Sequence, residues 1–444
     1  MSLADVAALH VGAKGTFLLR NGRVIDPRNG IDGQADVLVV DGRVAAVVPE
    51  GDKAEFPSGC TCLDLTGLWV MPGLIDMHVH LREPGEEYKE TIDSGARAAA
   101  AGGFTAVACM PNTSPVNDSQ GITSLIIAKA ASAHCRVYPI GCISKGARGE
   151  ALADIGEMKQ AGVVAVSDDG MPVVDGQLFR RALEYAANYD LLVISHSEEV
   201  SLSRGGVMNE GEMSISLGLR GIPNVAESIS VYRDLALAEY TGQPVHIAHV
   251  STREAVALIR QAKAGGGKVS AETAPHYFTL TDQDVGEYDT NAKMNPPLRS
   301  EADRQAIIAG LADGTIDVIA TDHAPHSRLE KDREFDQAAN GIIGLETSLA
   351  LTMELVRQGA FDPVRMVELM ALNPARLLGV EGGDLTPGRR ADITVVDPGK
   401  SFVYGAETIV SKSKNSPFID RRLIGKAVLT IVGGAITHNE LPGS

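Results

Sequence analysis

Through the middle of the chain, short apolar runs alternate with alanine-rich amphipathic stretches. Eight runs read as strands, at residues 74–79, 104–109, 136–143, 163–167, 191–195, 245–249, 268–271 and 317–321. They are mostly β-branched or continuously apolar, as strands covered on both faces are. Stretches such as 94–101, 122–133 and 254–264 read as the helices between them. Eight strands joined by helical crossovers predict an α/β fold, a (β/α)8 TIM-type barrel. A doubly wound open sheet is the structural alternative, but no glycine-rich phosphate loop follows a strand to favour it.

The two ends of the chain follow a different pattern. Residues 16–26 and 35–49 near the start, and 391–397 and 428–437 near the end, are short β-type runs. Asn21-Gly22 and Asp41-Gly42 are expected to supply hairpin turns. The simplest organisation is a small β-sandwich domain made from residues 1–70 and 381–444, with the barrel, residues 71–380, inserted into it. The ends share turn chemistry only, so they are not a repeat array.

Composition narrows the classes of function. The chain has 444 residues, 44% hydrophobic and 22% charged, which is ordinary for a folded soluble protein. No apolar run approaches the roughly 18 residues of a membrane helix. The N-terminus shows no basic segment followed by an apolar core, so a cytoplasmic protein without a secretory signal is expected. Lys plus Arg total 40 against 57 Asp plus Glu, a net charge of -17. A field of that sign repels nucleic acid and anionic lipid, and would also repel an anionic small substrate. Five cysteines, Cys60, Cys62, Cys109, Cys135 and Cys142, lack paired zinc-finger spacing and read as reduced thiols.

In a barrel of this kind the chemistry sits where strands end at the C-terminal face. Polar residues gather at those ends. The first strand runs into His78-Val-His80, the fourth into Ser167-Asp-Asp-Gly170, and the fifth into Ser195-His-Ser-Glu198. The sixth holds His246-Ile-Ala-His249, and the eighth runs into Thr321-Asp-His-Ala-Pro-His326. Alternation along a strand puts His78 and His80 on one side, where two imidazoles can reach one ion. Taken singly, a His at a strand end is most often a satisfied polar residue. Five such ends on one face are harder to dismiss together. Four histidines with two carboxylates can supply a divalent pair; zinc suits these ligands best, with manganese, cobalt or iron left open.

The run from Met71 to Gly85, Met-Pro-Gly-Leu-Ile-Asp-Met-His-Val-His-Leu-Arg-Glu-Pro-Gly, resembles the amidohydrolase superfamily and, within it, the dihydroorotases. Three further segments agree: Met110-Pro-Asn-Thr113, Lys293-Met-Asn-Pro-Pro-Leu-Arg299 and Ala320-Thr-Asp-His-Ala-Pro-His326. So does Gly388-Arg-Arg-Ala-Asp-Ile393. Together they resemble the long-chain bacterial dihydroorotases over nearly the whole chain. The resemblance implies reversible hydrolysis of the cyclic amide of L-dihydroorotate to N-carbamoyl-L-aspartate in pyrimidine synthesis. It implies two zinc ions per subunit: His78, His80 and Asp322 on one, His196 and His249 on the other, and Asp169 bridging, with Asp168 as the alternative. Relatives that act on other cyclic amides often carry a carboxylated lysine at the bridge. No Lys occurs between Gln160 and Leu191 here. The implied nucleophile is a hydroxide between the metals, with Asp322 as general base and then acid.

The substrate is anionic, so donors are needed around it. The resemblance assigns substrate contacts to His80, Leu81, Arg82, Asn112, Asn295, His326, Asn340 and Gly341. The planar fork of Arg82 suits a carboxylate. His246 and His276 read as core or supporting residues, Arg299 stays unassigned, and residues 330–336 form a charged loop placed to cover the site. The competing readings are a hydantoinase or allantoinase, and a non-catalytic homologue that binds aspartate transcarbamoylase. A homodimer, and a complex with that enzyme while active, are the further partner expectations.

Overall fold

The computed structural model describes residues 10–52 and 55–441. Strands β1 (Phe17–Asp26), β2 (Ile31–Val40), β3 (Arg43–Pro49), β4 (Thr61–Asp64) and β5 (Trp69–Pro72) come from the start of the chain. The barrel strands follow: β6 (Leu74–Val79), β7 (Phe104–Cys109), β8 (Arg136–Gly141), β9 (Ala165–Ser167) and β10 (Leu192–Ser195). A short ribbon, β11 (Met208–Asn209) with β12 (Gly221–Ile222), precedes β13 (Val245–Ile247), β14 (Val269–Thr273) and β15 (Val318–Ile319). The chain returns to the first sheet with β16 (Ile393–Val403), β17 (Arg422–Val432) and β18 (Ala435–Asn439). Among the described residues no helix is long and apolar enough to cross a membrane.

The barrel sheet runs β6-β7-β8-β9-β10-β13-β14-β15 with every ladder parallel. The seam closes beyond β15. His323 forms a parallel bridge with Val79, and its carbonyl accepts the His80 N–H at 2.9 Å. The buried Asp76 carboxylate spans the same seam, accepting the backbone N–H groups of His78 and Thr321, both at 3.1 Å. Closure excludes the open-sheet alternative, because an open sheet keeps two free edges. Inside lie Ile75, Met77, Ala106, Ala108, Ile140, Ala165, Ile194 and Val318, all buried. A register shift between Asp76 and Val79 breaks the alternation on β6. Such a bulge re-aims side chains. Here Met77 packs inside the barrel while His78 and His80 turn to the mouth.

The crossovers form where the apolar spacing placed them. The helix Arg253–Ala264 starts at Thr252, whose hydroxyl accepts the Ala255 N–H, and buries Ala255, Val256 and Ile259 on one face. The helix Ile92–Ala101 is capped by Thr91 and Ser94 and turns small residues to the sheet, so it packs close.

Strands from both ends share one sheet, ordered β18-β17-β16-β5-β1-β2-β3 with β4 beside β1. It curls around its own core of Leu19, Val24, Val37, Val70, Ile393 and Ile431. The Asp41-Gly42 turn joins β2 to β3 as expected, with φ 49° and 75°. Asn21-Gly22 is not a turn. It sits inside β1 at a register shift with β2, and the chain reverses instead at Pro27–Asn29. Bulges and tight turns both need a residue that tolerates positive φ, and Asn21, at 62°, serves the bulge. The described sequence near the C-terminus, Gly388 to Ile393, joins the units. The Asp392 carboxylate takes two bonds from Arg136 at the foot of β8 and one from the Gly433 N–H. Residues 404–421, between β16 and β17, leave the sheet and reach the barrel mouth. There Ser413 donates to the Lys89 carbonyl and Asn415 donates to the carbonyls of Ala324 and Gly341.

Gly73 marks the hand-over from sheet to barrel. Its N–H donates to the Asp392 carbonyl, and a Cβ there would lie 2.1 Å from the Thr105 hydroxyl. Gly73→Ala should therefore destabilise the fold by about 1–3 kcal/mol through overpacking, seen as a lower urea midpoint. An unchanged midpoint would contradict this account of the junction.

Candidate metal centre

The strand ends deliver four imidazoles and two carboxylates to one buried spot. Asp169 follows β9 and stands at its centre. Its Oδ1 lies 3.4 Å from His78 Nε2, 3.5 Å from His196 Nδ1 and 3.4 Å from His249 Nε2. Its Oδ2 lies 3.5 Å from His80 Nε2. Asp322, beyond β15, places Oδ1 at 3.0 Å from His80 Nε2 and 3.6 Å from His78 Nε2. All six side chains are buried. Asp168 is elsewhere: it accepts the N–H groups of Ile143 and Ser144 and the Ser144 hydroxyl, so it ties the segment after β8 to the end of β9.

The donor set fits divalent cations. His78 Nε2 and Asp169 Oδ1 are buried without a hydrogen-bond partner, which a folded protein rarely tolerates. Separations of 3.4–3.6 Å are long for hydrogen bonds. They match two ligands each about 2.1 Å from a shared tetrahedral ion. The groups His78, His80 and Asp322, and His78, Asp169 and His249, each converge closely enough to hold one. Electrostatics agree. Burial opposes the charge on Asp169, yet His78 and its neighbours hold the carboxylate well below the ordinary range. Burial likewise opposes protonation of His196, but Asp169 and Glu198 raise it to about 10. The field at this spot demands positive charge, from protons or from metal ions.

Supporting bonds set which nitrogen each ring presents. His78 Nδ1 is 2.6 Å from Glu272 Oε1, leaving Nε2 for the centre. His80 Nδ1 is 2.8 Å from Asn112 Oδ1. His196 is turned the other way, with Nε2 at 3.0 Å from Glu198 Oε2 and Nδ1 inward. Such partners orient metal-binding imidazoles and raise their basicity. Glu272 also lies 3.3 Å from His246 Nε2, so His246 is a supporting residue. Glu272 lies one residue beyond the apolar run 268–271, inside a strand that continues to Thr273. Extending the alternation by one residue would have found it. Glu198 ends the fifth strand run as a polar residue, and nothing in its local pattern points to His196 as its partner. Three site residues hold positive φ without being glycine: Arg82 at 59°, His249 at 33° and Asp322 at 46°. Each costs roughly 1–3 kcal/mol, and such strain gathers at functional sites.

Above the cluster opens a cavity of about 310 Å3 whose wall includes Arg82, Asn112, Asn295, His326 and Asn340, with His80 and Asp322 at the base. Arg82 is buried, with Nε donating to the Pro325 carbonyl and Nη2 3.3 Å from His326 Nε2. The Glu86 carboxylate is 4.0 Å away, so no tight ion pair occupies the fork. Burial, with the Arg82 charge, pushes His326 down to about 3, so it is neutral and accepts from Arg82. Asn295 donates to Glu198 at 2.9 Å. Two expected substrate contacts differ in place. Leu81 does not line the cavity; its side chain is buried in the hydrophobic core close to Gly95. The Gly341 N–H is bonded to the Lys293 carbonyl, and its carbonyl to Lys331 and Asn415, so its backbone groups are already engaged. His276 is buried in the core, where burial lowers it to about 4. Arg299 is a structural residue, bonded to Ser251, Asn209 and the Ile222 carbonyl.

Comparison with known proteins agrees with this geometry. The signature of the dihydro-orotase-like family matches residues 67–255. The dihydroorotase of Geobacter sp. strain M21 is 58% identical over 95% of this chain and 99% of that protein. Those of Syntrophotalea carbinolica and Desulfotalea psychrophila are 56% and 57% identical, over 95% and 94% of this chain and 99% and 98% of theirs. Among solved structures, an L-hydantoinase (dihydropyrimidinase) from Arthrobacter aurescens superposes with a TM-score of 0.86 at 26% identity, covering 96% of both chains. A dihydropyrimidinase from Brevibacillus agri gives 0.83 at 22% identity over 96% of this chain and 95% of that one, a likeness of fold. With more than half its residues shared along nearly the whole length of these relatives, the chain belongs to the dihydroorotase family.

Proposed function

We propose that the chain catalyses the reversible hydrolysis of L-dihydroorotate to N-carbamoyl-L-aspartate, with Asp322 as its general base and acid. The observation that carries this reading is the pairing of an unneutralised guanidinium, Arg82, with a buried acid–histidine cluster in one cavity. We assign one zinc ion to His78, His80 and Asp322 and a second to His196 and His249, with Asp169 shared between them. Bound there, such ions would supply Lewis acidity and make water a competent nucleophile at neutral pH.

The protein's own groups do the rest. Arg82 receives the substrate carboxylate through a planar fork fixed by Pro325 and His326. Burial opposes ionisation of Asp322, but His78 and His80 keep it below its ordinary value, so it is a carboxylate at neutral pH and able to accept a proton. The same oxygen can return that proton to the departing amide nitrogen. Asn112 keeps His80 oriented, and Asn295 and Asn340 complete the wall around the ring. The Asp at the bridge and Arg82 favour this substrate over a hydantoin. The complete donor set disfavours a purely non-catalytic partner of aspartate transcarbamoylase. A homodimer, and association with that enzyme, belong to the same proposal; the exposed stripe Val225, Ile229, Tyr232 and Tyr240 along one helix supports an interface.

The direct test is loss of dihydroorotate absorbance with purified protein. Turnover of dihydroorotate and none of hydantoin is expected; the reverse would end the assignment. Asp322→Asn should fold normally and lose roughly 1000-fold in kcat, and near-normal turnover would remove Asp322 from the chemistry. Arg82→Lys should raise KM for dihydroorotate several-fold with a smaller change in kcat, since a point charge replaces a fork. An unchanged KM would mean that the carboxylate is bound elsewhere.

A further inference from the structure

Beside the catalytic cavity lies a second one of about 690 Å3, and His326 stands in the walls of both. Its lining carries four cationic side chains, Arg328, Lys331, Lys412 and Lys414, against a single acid, Asp332. The partners of these cations are informative. Lys412 Nζ donates to the Glu87 carbonyl, and Lys414 Nζ to the carbonyls of Ile409 and Ser411. Lys331 Nζ donates to the carbonyls of Ala339 and Gly341. Carbonyls fix the direction of an ammonium without cancelling its charge, and two acids whose fields reach Lys412 and Lys414, Glu87 and Glu346, act on them without a close ion pair. Arg328 and Asp332 approach only to 3.8 Å and are 92% and 74% exposed, so their mutual screening is weak. Burial lowers Lys331 to about 7, so the permanent charge belongs mainly to Arg328, Lys412 and Lys414.

This vestibule stands on a chain of net charge -17. An anion approaching from solvent meets repulsion over most of the surface, and a cationic concavity at the rim of the mouth changes that locally. Fields focused by a low-dielectric cleft raise the local concentration of the opposite charge and its on-rate. The effect scales with ligand charge. Resting on the functional reading above, N-carbamoyl-L-aspartate carries two carboxylates and dihydroorotate one.

We propose that this basic vestibule is an anion-capture site that feeds the catalytic cavity and favours dicarboxylates over monocarboxylates. Lys412 and Lys414 supply the charge from the segment between β16 and β17, outside the barrel proper. They touch no group assigned to the chemistry, so their effect falls on capture and not on turnover.

The test is a double variant, Lys412→Gln with Lys414→Gln, beside Lys412→Arg with Lys414→Arg, in the metal-loaded full chain. The Gln pair should lower kcat/KM for N-carbamoyl-L-aspartate about tenfold, with kcat for that substrate unchanged; the fixed equilibrium constant carries the same factor to dihydroorotate. It should also flatten the dependence of kcat/KM on sodium chloride, and the Arg pair should restore both. An unchanged kcat/KM, or an unchanged salt slope, would overturn the proposal. Calorimetry with succinate, a dicarboxylate without the carbamoyl group, separates this from the assignment of function. The wild type should bind succinate about tenfold more tightly than the Gln pair at low salt, with a smaller difference for propionate, a monocarboxylate; an equal difference for propionate would refute the preference for dicarboxylates. Equal succinate affinities would refute capture whatever the enzyme hydrolyses. A difference in succinate binding without any dihydroorotate turnover would leave the vestibule standing and remove the functional reading.

Discussion

Two buried carboxylates, Asp169 and Asp322, share a few ångströms with four imidazoles at the mouth of a closed barrel. Burying like charges is costly unless positive charge compensates them. Nearly everything around the mouth serves that requirement. Glu272, Asn112 and Glu198 lock three of the rings so that each turns its other nitrogen inward. Asp76 ties the first strand to the last, which sets His78 and His80 against Asp322. The positive φ of Arg82, His249 and Asp322 is strain that the same scaffold has to hold.

The terminal sheet is more than an appendage. Asp392 fastens it to the foot of β8, and the segment after β16 reaches the mouth of the barrel. Asn415 in that segment accepts the His326 N–H and donates to the carbonyls of Ala324 and Gly341. One side chain from outside the barrel thus holds the wall that carries Arg82 and Asn340. The charge of the molecule divides in the same way. The acidic excess lies over the whole chain, while the vestibule beside the site is lined by four cations and one acid. The net charge therefore argues against nucleic acid and says little about the pocket.

The barrel was legible because both-face burial leaves continuous apolar runs, and all eight strands lie where those runs fall. The histidines and Asp322 were legible because polar residues at the ends of apolar strands are conspicuous. Choosing between Asp168 and Asp169 was beyond a sequence reading, since adjacent residues differ only in which way the strand end turns. The structure gives Asp168 to Ser144 and Asp169 to the histidines. Asn21-Gly22 misled because positive φ serves a bulge as well as a turn. Leu81 sits between two site residues and yet faces the core, and Asn415 lies 74 to 91 positions from its partners, where no local pattern can point to it.

Asp169 as the shared ligand of a divalent pair is the central assignment, and metal content reads it most directly. Mass-spectrometric metal analysis of the dialysed protein should find about two zinc ions per chain in the wild type. With Asp169→Asn the content should drop to one or fewer while the fold persists. A wild type that retains none, or an Asp169→Asn protein that retains both, would contradict the central claim.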